Sequence, residues 1–432
     1  MTKIKTETPK GMRDFLPEEM IKREYVMERI KKIFEKYGFD PLETPAVEYA
    51  EVLTGKYGED EKLIYKFFDK GNRELALRYD LTVPLARVMA ANPNLPKPFK
   101  RYHISRVWRY DRPQKGRYKE FWQCDIDTIG SKSMKADAEL IAVMTEVMKE
   151  LGFKKFTIQI NNRKLLNGIM LYSGLKTDKI KEALISLDKI NKVGKLGVIE
   201  EMKNREIKEE SINKIMELMV KEGSDEGILA ELKDKVTDAE GMEGLKEMEE
   251  LLSILKEMGI DKMYKLVLSL ARGLDYYTGT IFETVVEEPS IGSLTGGGRY
   301  DTLIGRFSNN DLPAVGTSFG IERIIDVMKE LRMGLPEQKT KSKVFAVNVT
   351  PDTEKDVNRI VSDLRAEGIS AQSDLMGRPI SKQIKFADSL GIPFVVIVGP
   401  DELKEGMVKL KDMKTGTEEN IKVRELAKKL GI

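Results

Sequence analysis

The sequence is poor in cysteine and histidine, and it contains no long apolar run. Among its 432 residues, Cys124 is the only cysteine and His103 the only histidine. A disulfide framework and a multi-cysteine zinc site are therefore excluded, as are most catalytic arrangements that need several histidines. Because no stretch of about 18 apolar residues exists, we expect no membrane span. The polar segment 1–9 lacks the apolar centre of a secretory signal, and we expect a cytoplasmic protein.

A strong charge of one sign is also missing, since 73 basic residues stand against 71 acidic ones. Any contact with nucleic acid must therefore come from a local basic surface. Apolar residues at 41% and charged residues at 33% are typical of a folded protein with a densely charged surface. The length exceeds that of one ordinary hydrophobic core, which predicts at least two domains.

The residue patterns divide the chain into five segments. Residues 1–174 and 259–331 mix β-prone runs with amphipathic helices, and we expect them to form one domain. Residues 175–258 carry apolar residues at helical spacing and no aromatic residue, which predicts a helical insertion. A linker is expected at 332–342. Strands alternate with helices in 343–432, which predicts a small α/β domain.

A first group of candidate site residues follows Arg109. A turn-rich basic loop, 111–117, connects two predicted antiparallel strands, and guanidinium groups there can bind phosphate oxygens through paired hydrogen bonds. An aromatic ring from the second strand can stack on a purine. An equally weighted alternative is a solvated hairpin with surface arginines. Alternation along the second strand places four side chains on one face: Phe121, Gln123, Asp125 and Asp127.

A second group is Arg272 followed by Tyr276 and Tyr277. An arginine beside an apolar strand can stabilise charge on a reacting phosphate, and tyrosine hydroxyls can bind a polar ligand. Packing of the two rings in the core is the alternative interpretation.

Two further groups contain glycine or arginine near a predicted helix. The run Gly296–Gly298 lets the backbone approach a ligand or another strand closely, although a tight turn without a ligand is also possible. It matches neither the phosphate-loop nor the dinucleotide-binding pattern. Arg323 lies in the first turn of a predicted helix, from which it can reach a nucleotide, although such an arginine is more often a surface residue.

Taken in this order, the segments closely resemble the class II aminoacyl-tRNA synthetases. The peptides 272–277 and 296–301 look like the two signature peptides of the histidyl-tRNA synthetases. The opening Pro9–Asp14, the tripeptide Asp80–Thr82 and the region Gly377–Gly391 match as well. The resemblance therefore covers nearly the whole chain.

The resemblance implies an α+β catalytic domain built on a six-stranded antiparallel sheet flanked by helices. It also implies a C-terminal α/β anticodon-binding domain and a homodimer that pairs through the segment around Pro45. The basic residues Arg378, Lys382, Lys385 and Arg424 of the last domain can contact RNA backbone. On sequence alone they are as readily explained as a solvated helix face.

The implied activity is the ATP-dependent activation of histidine, with release of pyrophosphate, followed by transfer to the 3′ end of tRNA(His). Arg272 and Arg109 are the implied catalytic residues, and Mg²⁺ supports the pyrophosphate, although no metal ligand is predicted. No general base is needed for activation because the histidine carboxylate is already an anion at neutral pH. The implied ATP-binding residues are Arg109, Asp111, Arg117, Phe121 and Arg323.

The implied histidine pocket has polar groups for both ends of the amino acid. Asp80, Thr82 and Gln123 would surround its amino and carboxylate groups, and further residues would surround the imidazole. A pocket that hydrogen-bonds both ring nitrogens rejects isosteres, because they leave buried polar groups unsatisfied. The full implied set is Asp80, Leu81, Thr82, Arg109, Gln123, Asp127, Arg272, Tyr276 and Tyr277.

The sequence leaves two alternative functions. The alternatives are a catalytically inactive, synthetase-like regulatory subunit of histidine biosynthesis and a tRNA-binding sensor module. Both are disfavoured, because the chain keeps the signature peptides, the terminal domain and the arginines of the nucleotide site. We expect His103 to be a packed or hydrogen-bonded histidine and Cys124 to be a buried small hydrophobe.

Overall fold

A computed structural model describes residues 4–113, 116–221, 223–260, 262–271, 276–308 and 310–431. The chain divides into two compact units, one of residues 1–14 and 26–334 and one of residues 15–25 and 335–432. Within the described parts, no helix is both long and apolar enough to cross a bilayer.

Strands of the first unit form two sheets, one of eight strands and one of three. In chain order the strands are β1 (Asp40–Pro41), β2 (Val47–Tyr49), β3 (Lys66–Phe68), β4 (Glu74–Leu77), β5 (Phe99–Trp108), β6 (Glu120–Ile129), β7 (Thr157–Asn162), β8 (Tyr264–Leu266), β9 (Thr280–Val285), β10 (Thr295–Arg299) and β11 (Ala314–Gly320).

The large sheet has the order β1-β5-β6-β11-β10-β9-β7-β8, and the small one the order β2-β4-β3. The six central strands of the large sheet are antiparallel to their neighbours. Strands β1 and β8 add parallel pairs at the two edges. The predicted antiparallel sheet is confirmed, but it is wider by these two short strands than the resemblance implied.

Polar side chains cap the free N–H groups at the start of some helices of the first unit. Ser133 caps α4, and Asn162 accepts from two backbone N–H groups at the start of α5. The helices are α1 (Pro17–Lys36, which crosses the boundary between the units), α2 (Ala50–Leu53), α3 (Thr82–Ala91), α4 (Met134–Glu150), α5 (Arg163–Tyr172), α6 (Thr177–Leu187), α7 (Ile190–Asn204), α8 (Glu209–Met219), α9 (Asp225–Lys233), α10 (Ala239–Glu257) and α11 (Ile321–Glu330).

The segment predicted to be helical contains α6 to α10 and no strand among its described residues. Asp238 caps α10, whose leucines and Met248 are buried on one side. The segment is therefore a set of amphipathic helices. Its assignment as an insertion bounded by residues 175 and 258 remains a prediction.

The second unit has a five-stranded sheet of order β13-β12-β14-β15-β16. Its first three strands are parallel, and apolar clusters cover both faces, as expected for strands joined by helices. The predicted α/β domain is confirmed, but the antiparallel hairpin of β15 and β16 was not predicted. The elements are β12 (Val344–Asn348), α12 (Glu354–Ala366), β13 (Ala371–Ser373), α13 (Ile380–Ser389), β14 (Phe394–Val398), α14 (Pro400–Lys404), β15 (Met407–Asp412), β16 (Glu418–Lys422) and α15 (Leu426–Lys429).

Candidate functional site

A cavity of about 530 Å³ opens in the first unit beside the large sheet. Residues from β6, β9, β10 and β11, together with the segments before α3 and after β5, line it. It brings together most of the residues predicted from sequence: Asp80, Thr82, Arg109, Asp111, Arg117, Phe121, Gln123, Asp127, Tyr276, Tyr277 and Arg323.

Two predicted residues are not in this group. Leu81 does not line the cavity, since its side chain is fully buried and its carbonyl oxygen accepts a hydrogen bond from Arg101 Nη2 at 3.1 Å. Arg272 lies outside the described residues.

The face of β6 supplies the floor of the cavity. Phe121, Gln123, Asp125 and Asp127 all line it, as the alternation of the strand predicted. Cys124 points to the other face and is fully buried, which confirms its interpretation as a small core residue. Burial raises the pKa of its thiol well above the usual value, so it carries no charge at neutral pH.

Asp127 is held at the inner end of the cavity by two residues that the sequence analysis did not select. Its Oδ2 lies 2.7 Å from Nη2 of Arg101, which is directly opposite on β5, and Tyr300 donates its hydroxyl hydrogen to Oδ1. Burial raises the pKa of Asp127, and the Arg101 guanidinium opposes that rise. Gly316 makes room for this carboxylate, since a Cβ there would lie 1.9 Å from its Oδ1.

Asp80 is likewise enclosed by hydrogen-bond donors. Tyr57 donates its hydroxyl hydrogen to Oδ1 at 3.0 Å, and the N–H of Val83 donates to the same oxygen at 3.0 Å. The Tyr276 hydroxyl reaches Oδ2 at 3.4 Å. Tyr57 was missed because an isolated tyrosine gives no local signal in the sequence, whereas Tyr300 lies in the signature peptide 296–301 but was not assigned to the pocket.

Three arginines that line the cavity are partly exposed, unlike its buried aspartates, and the region that they line is called the outer part. Arg109 donates from Nε to the Tyr79 carbonyl oxygen at 3.1 Å, and its guanidinium carbon lies 5.1 Å from the centre of the Phe121 ring. Arg117 Nη1 lies 3.3 Å from Oδ2 of Asp111. These contacts fix cations beside an aromatic face, as a nucleotide site requires.

Arg323 approaches the same region from the first turn of α11. Its Nη1 donates to the Ser293 carbonyl oxygen at 2.7 Å and its Nε to that of Gly116 at 3.2 Å. The predicted strand-to-helix arrangement is confirmed by β11 and α11. Arg323 is therefore directed at the cavity.

The run of three glycines is strand β10 and not a turn. A Cβ at Gly297 would lie 2.2 Å from the Gly316 carbonyl oxygen, and one at Gly298 would lie 2.5 Å from that of Thr280. At Gly296 the nearest atom would be Glu283 Cγ at 4.0 Å, so the missing side chain leaves open space. Close strand packing thus requires two of the glycines, and the third adds room to the cavity.

His103 lies opposite Asp125 in the strand register, so the two side chains are on the same face of the sheet. Its Nε2 is 3.1 Å from Glu43 Oε2, as expected for a packed histidine with a polar neighbour. Burial and the charge of Arg101 lower the pKa of His103 to about 4, so it is neutral at pH 7. Within the described parts, no group of three or more His, Cys, Asp or Glu is placed to hold a metal ion.

The four predicted basic residues of the second unit differ in their exposure and in their contacts. Lys382, Lys385 and Arg424 are exposed. The Arg378 guanidinium pairs with Asp374 and lies 4.0 Å from the centre of the Phe386 ring. The Arg378 guanidinium is therefore held in place, whereas the other three side chains are exposed, with Arg424 Nε 3.7 Å from Glu425 Oε1.

Comparison with known proteins gives consistent matches over both units. Residues 11–324 match the family model described as histidyl-tRNA synthetase, and residues 343–431 match the anticodon binding domain. A curated "Histidine--tRNA ligase" of Gloeobacter violaceus is 42% identical over 95% of each chain, and one of Aeropyrum pernix is 43% identical over 93% of this chain and 92% of its own. The crystal structure of histidyl-tRNA synthetase from Nostoc sp. PCC 7120 superposes with a TM-score of 0.88 at 32% identity, covering 99% of both chains.

Proposed function

The chain belongs to the histidyl-tRNA synthetase family and is a histidine–tRNA ligase, and we propose that the cavity of its first unit is where ATP and histidine react. A synthetase-like regulatory subunit or a tRNA-binding sensor module accounts for the family matches no better. The observation that carries the proposal is one cavity lined at its outer part by Arg109, Arg117 and Arg323 and at its inner end by Asp127.

ATP is proposed to occupy the outer part. Arg109 would bind the α-phosphate, Arg117 the terminal phosphates, and Phe121 would stack on the adenine with Arg323 above it. Asp111 would contact the adenine. The contacts of these arginines support this placement, because each arginine is already held by a backbone carbonyl or a carboxylate, which reduces the entropy lost on binding phosphate.

Histidine is proposed to bind at the inner end, with its imidazole between Asp127, Tyr276 and Tyr277. An imidazole N–H would donate to the Asp127 carboxylate, which the Arg101 ion pair favours in its charged form. Thr82 and Gln123 would contact the amino acid's other end. Leu81 contributes its backbone to this wall, since its carbonyl oxygen fixes Arg101.

In the activation step, a histidine carboxylate oxygen forms a bond to the α-phosphorus of ATP. The bond from that phosphorus to the oxygen bridging to the β-phosphate breaks, and pyrophosphate leaves with the electron pair. We propose that Arg109 and Arg272 stabilise the charge on the α-phosphate oxygens during this exchange. In the transfer step, the terminal ribose hydroxyl of tRNA(His) attacks the acyl carbon and forms the ester. The bond from that carbon to the phosphate oxygen breaks, AMP leaves with the electron pair, and the hydroxyl proton is released.

Mg²⁺ is proposed to accompany ATP and to neutralise the departing pyrophosphate. Magnesium is commonly held by substrate phosphates, waters and one or two carboxylates, so a dedicated protein cage is not required. Glu283 and Glu322 line the cavity and would supply such carboxylates.

The second unit is proposed to bind the anticodon region of the tRNA. Its family match and the exposed Lys382, Lys385 and Arg424 support this role, because basic side chains give affinity for the RNA backbone. We further propose a cytoplasmic homodimer. Four exposed apolar side chains on the small sheet support a protein contact there: Val47, Tyr49, Phe67 and Phe68.

Histidine-dependent exchange of labelled pyrophosphate into ATP tests the proposal. The wild-type chain is expected to catalyse the exchange, and Arg272→Ala to reduce it by about two to three orders of magnitude while the thermal unfolding midpoint stays the same. Lys132→Ala, at an exposed lysine, is the control for loss of a surface cation. Absence of exchange in the wild-type chain contradicts the function, and normal exchange in Arg272→Ala contradicts the role of that residue.

A further inference from the structure

Residues 9–14, near the start of the chain, pack against residues 116–119, which lead into β6 and contain Arg117. The Gly11 carbonyl oxygen accepts a hydrogen bond from the Lys119 N–H at 2.9 Å. None of these six described residues at positions 9–14 lines the cavity. The N-terminal segment is therefore attached to one side of the proposed ATP site from behind, without being part of its surface.

The contact at Gly11 is close and depends on glycine. The backbone there has a φ of +90°, which side chains other than hydrogen rarely allow. A Cβ at this position would lie 2.8 Å from Lys119 Cγ and 2.9 Å from Pro113 Cγ. The two segments are therefore fitted to each other, and the carbonyl oxygen of Gly11 reaches Lys119 because no side chain intervenes.

Arg13 extends this contact to a second element. Its guanidinium carbon lies 3.3 Å from the centre of the Tyr118 ring, and its Nη2 lies 3.6 Å from Glu322 Oε1. Both partners line the cavity, one from residues 116–119 and the other from the first turn of α11. The Arg13 side chain is 30% exposed and that of Glu322 only 4%, so water screens the pair less than it screens an open surface pair.

Each partner of Arg13 is the chain neighbour of an arginine in the proposed ATP site. Tyr118 follows Arg117, and Glu322 precedes Arg323. The Glu322 carboxylate is also fixed to β6, because its Oε2 accepts a hydrogen bond from the backbone N–H of residue 122 at 3.2 Å. One cation thus joins the two sides of the site at the positions next to its phosphate-binding and adenine-binding side chains.

We propose that Arg13 is a positioning residue for ATP. It holds residues 116–119 against α11, so that Arg117 and Arg323 have a fixed spacing before the nucleotide enters, and groups fixed in advance lose less entropy on binding. It acts through Tyr118 and Glu322 and does not touch the substrate. This inference rests on the proposed function, because it assumes that ATP occupies the outer part of the cavity.

Pyrophosphate exchange at varied ATP and varied histidine tests the role of Arg13 on the full-length chain. Arg13→Ala should raise the KM for ATP about 10-fold, as for loss of one partly desolvated cation contact, and should leave the KM for histidine within about twofold of wild type. Arg13→Lys keeps a cation that can face both the ring and the carboxylate, so it should raise the KM for ATP less than about threefold. Lys10→Ala, at an exposed lysine of the same segment, is the control and should leave both constants within about twofold.

A second variant disturbs the same contact without changing the arginine. Gly11→Ala pushes the N-terminal segment away from Lys119 and Pro113, and the KM for ATP should again rise about three- to tenfold while the KM for histidine stays the same. Gly259→Ala is the matched control: its φ is +70°, so the backbone strain is similar, but an added Cβ meets nothing within 4 Å. Both constants should stay within about twofold in that control.

Thermal unfolding followed by circular dichroism verifies that the variants fold, and the midpoint of Arg13→Ala should stay within about 5 °C of wild type. Three results would overturn the inference. They are an unchanged KM for ATP in both Arg13→Ala and Gly11→Ala, an equal effect of alanine and lysine at position 13, and an equal rise of both KM values with a lower midpoint, as a merely structural residue would give. A wild-type chain without histidine-dependent exchange would instead contradict the proposed function, so the two failures are distinguishable.

Discussion

Arg101 and Asp127 lie opposite each other on β5 and β6, and their charged groups meet at 2.7 Å in the protein interior. Both side chains are at most 3% exposed. One further hydrogen bond, from Arg101 Nη2 to the Leu81 carbonyl oxygen, ties this pair to the segment that leads into α3. The ion pair thus connects the sheet floor to the wall of the proposed histidine pocket.

Replacing Arg101 by methionine leaves the Asp127 charge buried without its partner. We expect the free energy of unfolding to fall by about 3–5 kcal/mol, the usual cost of breaking a buried pair from one side. Urea unfolding followed by circular dichroism measures the change. Arg106→Met is the matched control on the same strand, because Arg106 pairs with Glu120 at 3.0 Å while 42% exposed, and its loss should cost less than about 1 kcal/mol. An equal fall in the free energy of unfolding in the two variants would contradict a special contribution of the buried Arg101–Asp127 ion pair.

Replacing Gly316 by alanine places a Cβ where Asp127 Oδ1 now lies, at 1.9 Å. The carboxylate must move, and we expect the KM for histidine to rise about 10- to 100-fold while the KM for ATP changes little. Pyrophosphate exchange at varied histidine and varied ATP measures both constants. In the control Gly320→Ala, the added Cβ meets its nearest atom, the Leu294 carbonyl oxygen, at an ordinary 3.5 Å. If Gly316→Ala raised the KM for ATP more than the KM for histidine, the imidazole would not be bound at Asp127.

Asp125 makes the stability of the protein depend on pH in a defined direction. Burial raises the pKa of its carboxyl from 3.8 to about 7, opposed by the charge of Arg101 and a hydrogen bond with Ser318 and reinforced by the charges of Asp127 and Asp80. The folded chain therefore keeps this proton between about pH 4 and pH 7, where the unfolded chain loses it. Stability is then present at low pH and is lost as the pH rises through the folded-state pKa.

Asp125→Asn removes this titration, and the opposite residue His103 stays neutral above about pH 4. The variant should gain stability relative to wild type as the pH rises from 5 to 8, by roughly 3 kcal/mol at most. Urea unfolding of both proteins at each pH measures the difference in their free energies of unfolding. Groups that titrate elsewhere contribute equally to both proteins, so their effects cancel in this difference. A difference that is constant across this range would contradict the raised pKa.

Local patterns in the sequence were sufficient for part of the site. Alternation along β6 placed Phe121, Gln123, Asp125 and Asp127 on one face, because side chains of a strand alternate whatever the strand pairs with. Helical spacing without aromatic residues correctly indicated helices at α6 to α10. The β15–β16 hairpin was not predicted, because both strands are rich in charged residues and β16 is largely exposed to solvent.

The sequence by itself determined the family, the two kinds of domain and the side chains available to the cavity, since each depends on residue identity and short-range spacing. Only the tertiary structure decided which partner each buried carboxylate has. Arg101 meets Asp127, and Tyr57 meets Asp80, through strand register and packing between segments far apart in the chain. Register and packing are long-range properties that periodicity does not encode, so the partners of these carboxylates could be recognised only after folding.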